Sequence, residues 1–323
     1  MMHNPGDATA AVICGIGAAL PSRVVSNAEL CTRLDTTDEW IRSRTGISFR
    51  HVTGADSSTE DLAVQAAEQA LAVAGATSVE AVVLATTTPD RCCPAAAPAV
   101  ASRLGLTGVP AIDLAAGCTG FLYGLATAVG FISSRTANAV LIIGVDRLST
   151  LPARDDRTTV PLFGDGAGAM VLRRGRLEDD GAIGPVVLGS DGTQAELIQA
   201  AHPGSLQMQG AEVFRHAVDR MTSACAQAVA AVGWCMNDID RLVPHQANAR
   251  ITSFVARQLE VPDSRVLGNV DLVGNTGAAS IPLLLAQSAS DDRLQAGQRV
   301  LLTAFGAGLT WGAVTLTWPE LAS

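Results

Sequence analysis

A cysteine set between glycines, Gly117-Cys118-Thr119-Gly120, opens an apolar segment that runs to Val129 and follows the strand-like Ile112-Asp113-Leu114. A helix N-terminus offers unpaired N–H groups and the positive end of the macrodipole, and both favour a thiolate over a thiol. Cys118 therefore reads as a nucleophile of lowered pKa. His245 comes just after the apolar Leu242-Val243, within Pro244-His245-Gln246-Ala247-Asn248, so it occupies a strand end, where reactive groups gather in α/β sheets. Asn275, in Gly274-Asn275-Thr276-Gly277, takes the place of Cys118 in a second copy of the turn, 157 residues later (Cys118 to Asn275). Together they make a nucleophile with two neutral hydrogen-bond donors. Singly, each type has a plainer use: a histidine after a strand is a structural hydrogen bonder, an asparagine before a helix is an N-cap, and an isolated cysteine is core. Cys14, Cys31, Cys225 and Cys235 read as core.

What joins the three is an internal repeat. The run Ala139 to Gly144 is answered by Arg299 to Ala304, with an offset of 160 between Val140 and Val300. An alanine-rich helical pattern from Asp61 to Gly75 precedes the strand Ala81 to Leu84, as Arg220 to Gly233 precedes Arg241 to Val243. Gly168 to Leu172 is matched by Gly312 to Leu316. Glycine- and alanine-rich sequence can mimic one such match, but not four in the same order. The pattern predicts α/β units with mostly parallel, buried strands, in a first half over residues 1–175 with the nucleophile and a second over 176–323 with the His and Asn. The stretch from Arg173 to Gly210 reads as the connection between them, with surface strands and loops.

Composition narrows the chemistry. The chain has 323 residues, 48% hydrophobic and 16% charged, and all 22 of its basic Lys/Arg positions are arginine. Without lysine, Schiff-base and pyridoxal-phosphate chemistry and the P-loop are excluded. A net charge of −9 and 4% aromatic residues argue against nucleic-acid binding. The 7 cysteines are scattered with no C-x-x-C, which fits a reducing compartment, and no H-E-x-x-H or Cys/His cluster suggests a metal. No apolar run approaches the ~20 residues that span a bilayer, and Met1 to Asp7 lacks the basic start of a signal peptide. A soluble, cytoplasmic protein is expected.

Several segments, in order, resemble the β-ketoacyl-acyl-carrier-protein synthase III family of the thiolase fold: Asp113 to Phe121, Phe163 to Gly168, Val243 to Asn248, Gly274 to Ser280 and Phe305 to Gly308. The resemblance extends from about Val12 to Trp311. It implies a thiolase-like fold, two duplicated α/β halves in five layers (αβαβα), and a homodimer with no cofactor. The implied reaction is a decarboxylative Claisen condensation: Cys118 takes an acyl group from acyl-CoA, and the thioester is attacked by the enolate formed when malonyl-acyl-carrier protein loses carbon dioxide. His245 and Asn275 would donate hydrogen bonds to that enolate, and backbone N–H groups of Cys118 and Ala307 would hold the acyl oxygen.

The resemblance also places coenzyme A at Thr36, Trp40, Arg44 and Arg157, since Asp38 to Ile47 is similar to the family's tryptophan-containing signature. Trp40 and Arg157 would stack on adenine and Arg44 would meet phosphate. The family's Asp-Arg-Gly-Thr reads Asp156-Arg157-Thr158-Thr159 here. Arg215, Arg250 and Arg257 are the candidates for docking an acidic carrier protein, the last two sharing a helix face. Cys93 stands where many members carry phenylalanine, at a dimer-interface position that reaches into the partner's acyl pocket. Two alternatives use the same fold: an acyltransferase passing the acyl group from Cys118 to an alcohol or amine without condensation, and a degenerate structural partner, disfavoured because Cys118, His245 and Asn275 are all present.

Overall fold

Strands of the sequence alternate apolar side chains between two buried faces, and the two faces account for the layers. The computed structural model describes residues 9–200 and 205–322, so Met1 to Asp7 lie outside the described residues. In order, the elements are β1 (Thr9–Ala19), β2 (Val24–Ser26), α1 (Asn27–Cys31), α2 (Asp38–Thr45), β3 (Phe49–His51), α3 (Thr59–Val73), β4 (Ala81–Ala85), α4 (Ala96–Arg103), β5 (Ala111–Leu114), α5 (Gly120–Ser133), β6 (Ala139–Arg147) and β7 (Asp165–Arg176). There follow β8 (Val187–Ser190), β9 (Ile198–Ala200), β10 (Leu206–Met208), α6 (Gly210–Ala231), β11 (Arg241–Pro244), α7 (Ala249–Gln258), α8 (Val270–Val273), α9 (Ser280–Ser290), β12 (Arg299–Gly306) and β13 (Thr310–Thr317).

Of the two larger sheets, the first has the order β1-β7-β6-β4-β5 and the second β11-β12-β13-β8, while β2 pairs with β3 and β9 with β10. Val83, Val140 and Ile142 of the first sheet and Val243, Val300 and Leu302 of the second turn inward onto Phe121, Leu122 and Leu125 of α5 and Ile281, Leu284 and Leu285 of α9. Alternate residues of the first sheet, Val82, Leu84, Leu141 and Ile143, face outward onto α3 and α4. Leu242 and Leu301 do the same toward α6 and α7. The result is five layers, α3/α4, sheet, α5/α9, sheet, α6/α7, as the resemblance implied.

Duplication is visible in the strand order itself, because β4-β6-β7-β1 and β11-β12-β13-β8 are the same arrangement. Even β5 has a counterpart, a single parallel bridge from Leu242 to Val266 beside β11. The expectation of mostly parallel strands needs correction. β4 runs parallel to β5 and β6, and β11 to β12, but β1/β7, β6/β7, β12/β13 and β13/β8 are antiparallel. β7 and β13 each return beside the preceding strand without a crossover helix, and a direct return forces the antiparallel sense.

A second correction concerns register. β4 pairs Ala81 with Val140 and β11 pairs Arg241 with Val300, which fixes the repeat offset at 160 (Val140 to Val300). The turn equivalent to Gly117-Cys118-Thr119 is thus Gly277-Ala278-Ala279, each a 3₁₀ turn running straight into a helix. Both begin with glycine at positive φ, 54° at Gly117 and 59° at Gly277. The symmetry mate of Cys118 is Ala278, and Asn275 lies three residues upstream of it. Gly274-Asn275-Thr276-Gly277 is the closer match to Gly117-Cys118-Thr119-Gly120 in residue type, but Gly274, at φ 71°, ends α8 instead of starting a helix.

Candidate active site

Close backbone packing creates the turn that carries Cys118. A Cβ on Gly117 would lie 2.9 Å from the Ala307 nitrogen, and one on Gly306 would lie 2.7 Å from the Cys118 nitrogen. Only glycines let the end of β12 abut the start of α5. The N–H groups of Cys118 and Ala307 are brought together by this contact, and neither donates a backbone hydrogen bond elsewhere among the described residues.

His245 leaves β11 with its N–H donating to the Thr303 carbonyl at 2.8 Å. Its ring is buried, and neither Nδ1 nor Nε2 has a hydrogen-bond partner among the described residues. The neighbouring Gln246 locks the loop: its N–H donates to Ser280 Oγ at 2.7 Å, and its Oε1 accepts from Asn269 and Val270 N–H at 3.1 and 3.2 Å. Asn275 is clamped between Leu162 and Gly164, donating its N–H to the Leu162 carbonyl at 2.8 Å and accepting from Gly164 N–H at 2.9 Å. Its Oδ1 accepts from Gly277 N–H at 2.9 Å. With the oxygen pinned, the amide NH₂ is the free end.

Cys118, His245 and Asn275 all line one cavity of about 280 Å³, with Gly306 and Ala307 in the same wall. The rest is mostly apolar, including Leu148, Phe163, Val213, Met221 and Phe305. The β9–β10 hairpin supplies Ile198, Gln199, Ala200, Leu206 and Met208, so part of the segment read as surface connection is wall of the site. The apolar alternation of Leu206 and Met208 was the signal for it.

Electrostatics overturn one expectation. Burial pushes the Cys118 thiol up, to about 12, with the negative charge of Asp146 adding to the rise and its own backbone amide opposing it. Although the residue is only half-buried, its open side faces the cavity, and dehydration there is the largest cause of the rise. Cys118 is a thiol at rest. Burial likewise pushes His245 down, to about 4, so at neutral pH the imidazole is uncharged, with one nitrogen carrying a proton and the other a lone pair.

A match to the family described as 3-oxoacyl-[acyl-carrier-protein] synthase III covers residues 112–192, and one to its C-terminal part covers residues 229–318. The chain is 50% identical to β-ketoacyl-[acyl-carrier-protein] synthase III 5 of Streptomyces coelicolor, over 97% of this chain and 99% of that one. It belongs to the β-ketoacyl-acyl-carrier-protein synthase III family. The enzyme of that name from Pseudomonas aeruginosa is 50% identical over 97% of this chain and 98% of its own. The crystal structure of 3-oxoacyl-(acyl carrier protein) synthase III from P. aeruginosa PAO1 superimposes with a TM-score of 0.95, covering 97% of this chain and 100% of that one at 50% identity. A priming β-ketosynthase from the R1128 polyketide biosynthetic pathway gives a TM-score of 0.91 at 34% identity, covering 96% of each chain.

Against that family background, the remaining candidates fall around two grooves. Trp40, Arg44, Thr158, Leu162, Phe214, Asn248 and Arg250 line a groove of about 470 Å³. Leu162, Phe214 and Asn248 wall this groove while their chain neighbours Phe163, Val213 and Ala247 wall the cavity, so the two spaces adjoin. Trp40 is 38% exposed, unlike a core aromatic. Arg157 is not in this wall: its Nη1 donates to the Asp35 carbonyl at 3.1 Å and faces the Asp35 carboxylate at 3.6 Å. Thr36 Oγ1 is buried without a hydrogen-bond partner among the described residues. The Thr158 departure is absorbed locally, its N–H and hydroxyl donating to Asp156 Oδ1 at 2.8 and 2.6 Å.

Arg250 and Arg257 flank an edge-to-face pair, Phe214 and Phe254, 5.1 Å between centroids, where α6 meets α7. Arg250 lies over Phe214 at 5.7 Å and Arg257 over Phe254 at 4.0 Å, and Arg215 pairs with Glu212. Arg250 is therefore part of the Trp40 groove as well as of the arginine patch. Cys93 is exposed and outside the cavity of its own chain. Cys92 lines a second groove, of about 480 Å³, that shares Thr87, Leu151 and Ala200 with the cavity. Among the described residues no His/Cys/Asp/Glu group could hold a metal ion, and no helix is long and apolar enough to cross a membrane.

Proposed function

We propose that this chain joins an acyl-CoA primer to malonyl-acyl-carrier protein by decarboxylative Claisen condensation, the opening step of a fatty-acid or polyketide chain. The observation that carries the reading is the convergence of Cys118, an uncharged His245 and the free amide of Asn275 on one largely apolar cavity. In the first step Cys118 Sγ attacks the thioester carbonyl, its proton passes to the departing CoA sulfur, and the oxyanion is held by the Cys118 and Ala307 amides. In the second, the C–C bond to the malonyl carboxylate breaks and its electron pair forms an enolate, whose oxygen accepts hydrogen bonds from His245 and Asn275. The enolate carbon attacks the acyl-cysteine carbonyl, and the Cys118 thiolate leaves to regain a proton. Neutral donors suit this step, because expelling carbon dioxide needs charge stabilisation more than a base. Coenzyme A is a substrate here and no cofactor is required.

Trp40 and Arg44 are assigned to the CoA groove, with Thr36 and Arg157 beside it. A homodimer is supported by β5, an edge strand of its sheet whose Ile112 is 37% exposed. Cytoplasmic location follows if the substrates are the intracellular thioesters. The test is to offer a panel of acyl-CoAs, identify the acyl group on Cys118 by mass spectrometry, then add malonyl-acyl-carrier protein and measure carbon dioxide. An acyl-cysteine that passes its group to an alcohol or amine, with no carbon dioxide released, would favour the simple acyltransferase and sink condensation.

Arg257→Glu, clear of groove and cavity, should lower kcat/KM for malonyl-acyl-carrier protein about tenfold at low salt and spare acylation from CoA, because charge reversal at a steered surface acts on association. Arg250→Glu should weaken both half-reactions, since Arg250 also walls the CoA groove. Equal losses from Arg257→Glu in the two half-reactions would remove it from the docking surface. Cys93→Phe should reduce acylation by C4 and longer acyl-CoAs more than by acetyl-CoA, each excluded methylene being worth about 0.8 kcal/mol. An unchanged chain-length profile would mean that Cys93 does not bound a partner's pocket.

A further inference from the structure

The repeat makes two equivalent pairs of backbone amides, and the structure treats them oppositely. At the offset of 160, Cys118 and Ala307 in one pair correspond to Ala278 and Arg147 in the other. The first pair is open to the cavity. In the second, Ala278 N–H donates to Asp146 Oδ2 at 2.8 Å and Arg147 N–H donates to Thr88 Oγ1 at 2.7 Å. Asp146 is itself the symmetry mate of Gly306, the residue whose bare Cα leaves Cys118 N–H uncovered.

Asp146 is fully buried and no mechanism above uses it. Its Oδ1 accepts from Thr87 N–H at 2.7 Å and from the hydroxyls of Thr86, Thr87 and Thr88 at 3.2, 2.8 and 3.1 Å. The adjacent Arg147 guanidinium turns away to Asp90, at 3.4 Å. Gly277 must lack a side chain, because a Cβ would lie 2.2 Å from Oδ2. Two consecutive amides at the head of α9 are thereby capped by different acceptors: Gly277 N–H by Asn275 Oδ1 and Ala278 N–H by Asp146 Oδ2.

We propose that Asp146 is a positioning residue for the condensation step: its carboxylate fills the Ala278 amide of the second-half pair and locks the turn against which Asn275 aligns its amide. This rests on the role given to Asn275 above. An amide cannot replace it in place, because fixed backbone N–H donors meet both oxygens and either orientation of an Asn side chain sets NH₂ against one of them. The same charge, held next to the nucleophile, opposes ionisation of Cys118.

The test compares wild type with Asp146→Asn and with Asp146→Ser, the smaller side chain leaving room for water should the amide prevent folding; thermal unfolding checks both. Condensation with malonyl-acyl-carrier protein should fall about tenfold or more in either variant and acylation of Cys118 distinctly less, as expected when a buried acceptor that orients a catalytic group is lost. Iodoacetamide alkylation of Cys118 should move to lower pH in Asp146→Asn, which removes the charge but keeps the volume that excludes water from the sulfur. Equal losses in both half-reactions, or an alkylation profile that is unchanged or moves to higher pH, would overturn the proposal. Wild type that neither acylates Cys118 nor releases carbon dioxide would overturn the function proposed above instead, and the alkylation shift still reads the charge at Asp146.

Discussion

Cys118→Ala is expected to abolish acyl transfer from CoA, while Asn275→Ala keeps the acyl-enzyme and loses condensation by about 10²- to 10³-fold, the usual penalty for removing one oxyanion donor. The two steps ask for different groups. Acylation needs sulfur at position 118 and the amides of the Cys118 turn, which Asn275 does not touch. Enolate formation needs donors aimed into the cavity, and Asn275 has its oxygen fixed on Gly277 N–H and its NH₂ free. Trapping the acyl-enzyme by mass spectrometry and measuring carbon dioxide separately reads each step. If Asn275→Ala fails to acylate Cys118, the division of roles is wrong.

Gly306→Ala should be nearly as damaging to both steps, because each forms an oxyanion at the same amides. The added methyl would lie 2.7 Å from the Cys118 nitrogen and 3.1 Å from that of Thr119, closer than packed atoms tolerate. Either the methyl covers the Cys118 N–H or the β12 end is pushed away and Ala307 with it. In both cases a donor is lost, with about 10²- to 10³-fold in kcat, while the fold, anchored by β12 pairing to β11 and β13, persists. Circular dichroism with kcat measured for acylation and condensation checks this. A variant of unchanged kcat would show that Ala307 and Cys118 amides do not bind the oxyanion.

Local chemistry made much of this legible in one dimension. Cys118 between glycines, His245 after a strand and Asn275 before a helix stand where side chains at strand and helix ends must face a crevice, and the repeat implied that two halves bring them together. Long-range pairing made the rest undecidable from the chain. Whether Gly117 repeats as Gly274 or as Gly277 depends on the register of β11 with β12, and the local pattern points the wrong way: Gly274-Asn275-Thr276-Gly277 shares Gly, Thr and Gly with Gly117 to Gly120, whereas Gly277-Ala278-Ala279-Ser280 shares only its first Gly. The ionisation of Cys118 turned on what lies around the sulfur in space, since its place before a helix speaks for the thiolate while burial beside Asp146 pushes the pKa up. Asp146 itself gave no sign, because an acid at the end of an apolar strand reads as a solvated terminus until the Thr86 to Thr88 loop and the head of α9 are seen to close over it. The tertiary structure decided which amides are free and which are filled, because hydrogen bonds to a buried carboxylate come from segments more than fifty residues away in sequence, whereas the sequence determined which side chains were available to act.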